Sequence, residues 1–179
     1  MNRYLVSASA FWLSACAVLP GPGPTLETSG AKTNCINLAN TSVQTKFHNL
    51  ESGVRGIESA LFQIGLSQKS YDNPQNKYHL IIEGSSSQPG STASHIGFFL
   101  AAATLFIIPA YRYKSYSMTV SVYEDKQKIR QVTAQDSAHG VISLFAGFVT
   151  PDSSIYPSTA EAEIGSRLAK KAISAVICS

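Results

Sequence analysis

The positions of the hydrophobic residues predict two helices. Between residues 41 and 64 they recur at alternating spacings of four and three, the period of an amphipathic helix. This stripe consists of Val43, Phe47, Leu50, Val54, Ile57, Leu61 and Ile64. Thr41 or Ser42 would cap the helix, because a hydroxyl there can accept a hydrogen bond from the first turn. Gly53 and Gly56 would allow this helix to approach a sheet closely.

The second predicted helix lies at the C-terminus. Residues 158–161, Ser-Thr-Ala-Glu, follow Pro157 and have the spacing of a capping box. An apolar stripe then recurs at helical spacing, and its members are Ile164, Leu168, Ala172 and Val176. On such a helix Arg167, Lys170 and Lys171 are expected to face water, since they lie off the apolar stripe.

Alternation with a period of two predicts the strands. Residues 116–123 alternate apolar and polar side chains, as a half-buried strand does. A charged hairpin tip over 124–128 and an antiparallel return over 129–134 follow this strand. Residues 78–84 predict another strand with its apolar residues on one face, and residues 35–38 are interpreted as a short first strand.

These elements together predict an α+β fold. Two main helices and a mainly antiparallel sheet of three or four strands would form a two-layer sandwich, with an apolar hairpin or short helices added to it. Residues 71–76 predict a turn and the Ser/Gly-rich residues 85–94 a loop. A second apolar patch over 141–149 is interpreted as a short helix or loop that covers the apolar run over 96–110.

The run over residues 96–110 is nearly continuous in apolar residues. It falls short of the roughly 20 residues that a membrane-spanning helix needs. Three interpretations stay open: a buried segment beneath the helices, a hairpin that dips into a membrane or docks onto a partner, and a membrane span. Residues 111–114, Tyr-Arg-Tyr-Lys, suit a lipid headgroup region or a strand edge. The residues predicted for docking are Phe98, Phe99, Leu100, Leu105, Phe106, Ile107 and Ile108.

Residues 1–15 have the features of a secretion signal. Arg3 supplies positive charge, and an apolar stretch then extends to Leu13. The tetrad Leu13-Ser14-Ala15-Cys16 resembles the lipobox of bacterial lipoproteins. This resemblance implies cleavage before Cys16, a diacylglycerol thioether on its sulfur and a further acyl chain on the new amine. Two or more such chains hold a protein firmly at a membrane.

The same resemblance implies a location. Ala17 follows the modified cysteine, and in the Gram-negative sorting scheme the absence of aspartate there implies the outer membrane, with the domain facing the periplasm. The Pro/Gly-rich residues 16–33 would then be a tether and residues 34–179 a single domain. The order of the elements is also similar to that of small uncharacterised envelope lipoproteins of Gram-negative bacteria, a group that implies no catalytic residues.

The two other cysteines are predicted to form a disulfide. With Cys16 occupied by lipid, Cys35 and Cys178 remain as a pair in an oxidising compartment, where disulfides persist. Such a bridge would tie the start of the domain to its last helix. Two separate thiols are the alternative.

Composition and motifs limit the kinds of partner, cofactor and catalytic site that the sequence predicts. Charged residues make up only 14% of the sequence, against about 25% in an average soluble domain. The net charge of +3 is scattered along the chain, which argues against a nucleic-acid partner. No histidine lies at ligand spacing from another histidine or a cysteine, so no metal or other cofactor is predicted. Residues 136–139, Asp-Ser-Ala-His, lack a nucleophile-elbow glycine pattern and are interpreted as a polar loop.

Three functional hypotheses follow. The sequence favours a lipid-anchored envelope protein, not an enzyme, that binds a protein or lipid partner and has no small-molecule substrate. The first alternative is an accessory lipoprotein subunit of a membrane secretion or transport assembly, in which residues 96–110 would be buried only in the complex. An envelope hydrolase is the second alternative, and the small number of carboxylates and histidines argues against it.

Overall fold

The computed structural model describes residues 16–30, 36, 41–66, 76–88, 92–104, 107–143 and 157–177. The predicted signal segment, Cys35, Cys178 and most of the apolar patch over 141–149 lie outside the described residues. Within the described ranges the elements in chain order are β1 (Cys16–Pro20), β2 (Thr25–Gly30), β3 (Thr41–His48), α1 (Glu51–Gln63), β4 (Tyr78–Ser87), α2 (Thr92–Ala103), β5 (Ala110–Glu124), β6 (Gln127–Ile142) and α3 (Pro157–Ser174).

The strands form one mixed sheet around the β5–β6 hairpin. The order is β1-β6-β5-β4-β3, and β2 pairs with β6 on the same edge as β1. Asp125 and Lys126 form the hairpin turn at positive φ, the conformation that a two-residue turn between twisted strands requires. β3 runs parallel to β4, with α1 as the crossover between them. The α+β class is confirmed, although the described sheet has six strands and one parallel pair.

One face of the sheet is apolar and packs beneath α1 and α3. The period-two pattern of β4, β5 and β6 places its apolar members on this face, where the fully buried ones are Leu80, Ile82, Met118, Val120, Val122, Val132 and Ala134. The helices contribute Ile57, Ile164, Leu168, Ala172 and Ile173 to the same core. The predictions of the strand at 78–84, of the hairpin and of the C-terminal helix are therefore confirmed.

The two glycines of α1 allow α1 and α3 to approach closely. A β-carbon added at Gly56 would collide with the carbonyl oxygen of Ala162, and one added at Gly165 would collide with that of Gly53. The partner of the glycines is thus the backbone of a second helix, and the predicted approach of Gly53 and Gly56 to a sheet is wrong.

The first part of the helix predicted over 41–64 is the strand β3. Val43 and Phe47 are four residues apart, a spacing that a helix and a strand both place on one face. The β-branched residues Thr41, Val43 and Thr45 favour the strand. Asn49 then takes a positive φ between β3 and α1, and the helix begins at Glu51. The expected cap at Thr41 or Ser42 is therefore wrong, because both residues are buried in β3.

Two strands of the sheet, β1 and β2, lie in the segment predicted as a tether. β1 pairs antiparallel with residues 138–142, and β2 pairs with residues 130–135. Pro20 ends β1, and Pro22 and Pro24 lie in the connection to β2. These prolines are compatible with pairing because they lie at an edge strand's end or between strands, where their missing N–H costs no ladder hydrogen bond.

Two strands extend into residues that were expected to be loops. β4 continues through Ser85–Ser87, and α2 begins at Thr92 instead of a loop. β6 continues through residues 136–139, which were interpreted as a polar loop, and ends at Ile142. Alternate residues such as Ser87 and Ser137 lie on the sheet's uncovered face, whereas Ser86 and Asp136 are buried on the helix-covered face. A polar composition in these segments therefore does not indicate a loop.

The predicted disulfide between Cys35 and Cys178 can be tested by thiol alkylation. Ile36 and Ile177 form a parallel β-bridge, and each is the sequence neighbour of one cysteine of the predicted pair. We expect Cys35 and Cys178 of the protein isolated from cells to resist alkylation until a reductant is added. Replacing Cys35 with serine should then lower the free energy of unfolding by up to about 4–5 kcal/mol, because the bridge closes a long loop. Alkylation of both thiols without reductant would contradict the bridge.

Candidate functional site

An exposed apolar surface lies on α2 and the turn that follows it. This α2 surface consists of the exposed side chains Ile96, Phe99, Leu100, Ile107 and Ile108, and Phe99 is 73% exposed. Phe98, predicted for docking with them, is also exposed, whereas Leu105 and Phe106 lie outside the described residues. Among the described side chains of residues 96–110, Ala101 and Ala110 are the buried ones. The interpretation of this run as buried core is therefore wrong for its large apolar side chains that the structure describes. The first part of the run, through Ala103, is helical.

Local hydrogen bonds end α2 and turn the chain toward β5. The hydroxyl of Thr104 donates to the carbonyl oxygens of Leu100 and Ala101, at 2.9 and 3.1 Å. The carbonyl oxygen of Leu100 also accepts the backbone N–H of Thr104 at 3.1 Å, so Thr104 holds the last turn of α2 with both its backbone and its side chain. The guanidinium of Arg112 lies over the Phe98 ring, 5.5 Å from its centroid, and connects α2 to β5. No helix in the described part of the chain is long and apolar enough to cross a membrane.

The register of the sheet places Cys16 close to this surface. Cys16 and Ala110 are both cross-strand partners of Ile142, one on each side of it. Since adjacent strands lie about 4.8 Å apart, the backbones of Cys16 and Ala110 are about 10 Å apart. We call the end of the sheet formed by these three residues the Cys16 end. β5 projects there by residues 110–114 past β4, whose last residue, Ser87, pairs with Ser115.

A group of ionisable side chains lies between α3 and the sheet. The ammonium of Lys114 donates to Oε1 of Glu161 at 2.6 Å, and the hydroxyl of Tyr116 donates to the same oxygen at 3.0 Å. The Lys114 ammonium also lies 5.2 Å from the centroid of the Tyr116 ring. Glu161, expected only as a helix-start carboxylate, therefore fixes the first turns of α3 to β5.

A second ion pair lies beside the first. Arg167 donates from Nη2 to Oδ2 of Asp136 at 3.0 Å, and the backbone N–H of Ser137 donates to Oδ1 at 2.8 Å. The Asp136 side chain is only 1% exposed. Its register partner is Tyr116, so both ion pairs lie on the helix-covered face. The prediction that Arg167 faces water is wrong, whereas Lys170 and Lys171 are exposed as expected.

The Tyr116 hydroxyl makes the stability depend on pH in the alkaline range. Burial raises its pKa above the usual value near 10, and the carboxylates of Glu161 and Asp136 raise it further. The unfolded chain loses this proton from about pH 10 while the folded chain keeps it, so stability falls as pH rises above about 10. Tyr116→Phe removes this contribution, and its loss of stability between pH 9 and 11 should be smaller than the wild type's by up to about 1.4 kcal/mol.

Urea unfolding followed by far-UV circular dichroism at the two pH values measures this difference. Tyr111→Phe is the matched control, since Tyr111 lies on the exposed surface of the same strand. Equal losses of stability in the wild type and in Tyr116→Phe would contradict the buried state of the hydroxyl.

The opposite face of the sheet carries a shallow depression of about 390 Å³. Cross-strand pairing brings serine hydroxyls together there, because Ser87, Ser115 and Ser137 are successive partners. The hydroxyl oxygens of Ser87 and Ser115 are 2.7 Å apart. Tyr113 and Gln135 also line the depression. The groups can exchange hydrogen bonds with a polar partner. Asp136 also lines the depression, whereas His139 and Glu83 do not.

The described residues do not bring together a catalytic triad from residues 136–139. Successive residues of β6 point to opposite faces, so Asp136 faces α3 while Ser137 and His139 face the other side. The His139 ring instead contacts the ring of Tyr113, with centroids 5.2 Å apart.

A serine–histidine contact joins two strands of the sheet. The hydroxyl oxygen of Ser42 lies 2.5 Å from Nδ1 of His79 across β3 and β4. Ser42 is completely buried, so this oxygen has no access to a substrate. No group of three or more histidine, cysteine, aspartate or glutamate side chains within the described ranges could hold a metal ion.

Comparisons with known proteins give only distant likenesses. No family model matches the sequence, and no curated protein matches it. A solved structure titled PelC dodecamer from Paraburkholderia phytofirmans is 7% identical, with a TM-score of 0.43 over 87% of this chain and 99% of that chain. A single-substitution variant of that dodecamer is 9% identical, with a TM-score of 0.43 over 86% of this chain and 99% of that one. Likenesses at this level do not establish a shared fold.

Proposed function

We propose that the protein is a lipid-anchored component of the cell envelope that acts by binding and not by catalysis. The observation that supports this most is the α2 surface, which groups large apolar side chains on one exposed element. A contiguous exposed apolar patch on a monomer commonly marks a site of protein or membrane contact. The lipobox-like tetrad at residues 13–16 would supply the attachment, and Cys16 is the residue that would be modified.

The state of the ionisable groups agrees with a binding role. Catalytic acids and bases need access to a substrate, commonly in a cleft. Asp136 and Glu161 are instead held by Arg167 and by Lys114 with Tyr116, in contacts that fasten α3 to the sheet. Asp136 also lines the depression, but its carboxylate is already bound by Arg167 and by the backbone N–H of Ser137.

Fractionation of membranes tests the anchor and its location. The wild-type protein is expected in the outer-membrane fraction of a sucrose gradient and is expected to stay there after a carbonate wash. Cys16→Ser should be lost from that fraction, because it lacks the sulfur that would carry the lipid. Recovery of the wild-type protein in the soluble periplasm would contradict the anchored state.

An accessory role in a membrane secretion or transport assembly is the second candidate. The same observation favours it, since the α2 surface could be covered by another subunit. A photo-crosslinking residue at position 99 should then give a discrete crosslinked band in cells. The same residue at position 62 is the control, because Phe62 is 77% exposed on α1. Equal crosslinking from both positions, or none from either, would argue against a specific subunit contact.

A further inference from the structure

The α2 surface and the proposed lipid attachment point lie at the same end of the sheet. Cys16, Ile142 and Ala110 are abreast there, and the turn that precedes Ala110 carries Ile107 and Ile108. We propose that the Cys16 end rests on the membrane surface and that the α2 surface inserts among the lipid headgroups and upper acyl chains. The proposal rests on the proposed anchor for its geometry, but lipid binding by α2 can be measured without that anchor.

The length and composition of α2 suit an interfacial position. The helix has 12 residues, about 18 Å, so it is shorter than the roughly 30 Å of hydrocarbon in a bilayer. Its described exposed side chains from Ile96 to Ala103 are all apolar. A helix that is apolar around most of its circumference is normally surrounded by protein or lipid. In this domain its main neighbour among the described elements is β5, which leaves Phe99 and Leu100 uncovered.

The charge of the chain segment that contains the α2 surface favours lipid as the occupant. Residues 84–123 contain no aspartate or glutamate, although they include Arg112 and Lys114. Lys114 is paired with Glu161, so Arg112 is the exposed cation at the Cys16 end in this segment. Anionic lipid attracts cations and repels carboxylates near the surface. A segment of 40 residues without an acidic group is therefore suited to close approach to lipid phosphates.

Aromatic residues border the same region. Tyr111 and Tyr113 are exposed on the projecting part of β5, on the face of the strand opposite to Arg112. Tyrosine is enriched at membrane–water interfaces, because its ring is apolar and its hydroxyl remains hydrated. Acyl chains on Cys16 would hold α2 within a few nanometres of the bilayer, so even weak insertion would be nearly complete through the high effective concentration.

In the proposed orientation the end of the domain opposite to the Cys16 end lies away from the membrane. α1 follows β3 at His48, which lies beside Ser85, and runs back toward the Tyr78 end of β4. Phe62, near the end of α1, is thus on the order of 40 Å from the Cys16 end along the strands. It is as exposed as Phe99, at 77% against 73%, and therefore serves as a matched control.

Tryptophan fluorescence of the lipidated protein in vesicles tests the insertion. The sequence has a single tryptophan, Trp12, in the segment predicted to be removed, so Phe99→Trp and Phe62→Trp each give one reporter. The proteins are reconstituted in phosphatidylethanolamine–phosphatidylglycerol vesicles with and without brominated acyl chains. We expect blue-shifted, bromine-quenched emission for Phe99→Trp and red, unquenched emission for Phe62→Trp. Equal, unquenched emission from both would overturn the proposal.

A second measurement separates α2 from the anchor. Residues 16–179 with Cys16→Ser contain every described element but no lipid site. We expect them to sediment weakly with the same vesicles, and Phe99→Ser with Leu100→Ser to lower the bound-to-free ratio about tenfold or more. Phe62→Ser should leave that ratio unchanged. Vesicle binding that is insensitive to the changes at 99 and 100 would overturn the proposal even if Cys16 is lipidated.

Two other occupants of the α2 surface have their own signatures. A second copy of the chain would shield the reporter of Phe99→Trp without vesicles, in a manner that depends on protein concentration. A protein partner would shield it only after envelope extract is added. Either result without bromine quenching would overturn the lipid assignment, whereas palmitate incorporation at Cys16 would still be decided independently.

Discussion

Gly56→Ala is expected to lower the free energy of unfolding by about 3 kcal/mol or more, the upper range for forcing extra atoms into a packed interior. Alanine is the better helix former by up to about 1 kcal/mol, so intrinsic propensity predicts the opposite sign. The steric contact outweighs the helix propensity, because the new β-carbon would collide with the carbonyl oxygen of Ala162 in α3. Backbone atoms of a packed helix cannot move aside as a flexible side chain can.

Gly97→Ala provides the comparison in the same chain. Gly97 lies inside α2, and a β-carbon there would meet no atom within 4 Å. Its replacement should stabilise the protein by about 0.5–1 kcal/mol, since glycine loses more conformational freedom in a helix. Urea unfolding followed by far-UV circular dichroism measures both variants. Stabilisation by both would show that α1 and α3 are farther apart than described.

Arg167→Met is expected to lower the free energy of unfolding by about 3 kcal/mol or more, because it leaves the buried carboxylate of Asp136 without its partner. Asp136 would keep only its hydrogen bond from the Ser137 N–H among the contacts described above. The methionine retains most of the apolar contact of the arginine stem, so the loss reports the charge pair and not the packing.

The double variant Asp136→Asn with Arg167→Met separates charge from shape. Asparagine has nearly the size of aspartate and can still accept the Ser137 N–H, but it has no charge to leave buried. We expect the double variant to be more stable than Arg167→Met alone, by about 1–3 kcal/mol. Lys170→Met, at an exposed position of α3, should change stability by no more than about 0.5 kcal/mol. A double variant less stable than Arg167→Met would contradict the ion-pair account.

Local periodicity correctly predicted the helices and strands that bury one face and expose the other. Val120 and Val132 belong to alternating segments, and each lies on the buried face of the hairpin. Ile164 and Leu168 lie on the buried side of α3 as their helical spacing predicted. In these elements the hydrophobic pattern reports directly which side meets the core, so a single sequence is enough.

Edge strands were not predictable in the same way. All six residues of β2 are exposed, so its pairing with β6 leaves no alternation of apolar and polar residues. β3 was mistaken for helix because Val43 and Phe47 fit both periods. Backbone hydrogen bonds to a distant strand decide these elements, and no side-chain pattern within the segment records such a partner.

The ion pairs and the Cys16 end depend on long-range register. The sequence places Arg112 and Lys114 in one basic segment, yet Lys114 is paired with Glu161 while Arg112 is exposed. Residues 16 and 110 are far apart in the chain and meet only because both flank Ile142. The sequence predicts the lipid site and the apolar run separately. That they lie at the same end of the sheet follows only from the strand order and register.

The lipid on Cys16 is the premise of the proposed function, and metabolic labelling with radioactive palmitate tests it most directly. We predict that the wild-type protein incorporates the label and that Cys16→Ser does not, while Cys35→Ser labels as the wild type does. Absence of label from the wild-type protein, or equal labelling of Cys16→Ser, would contradict the account.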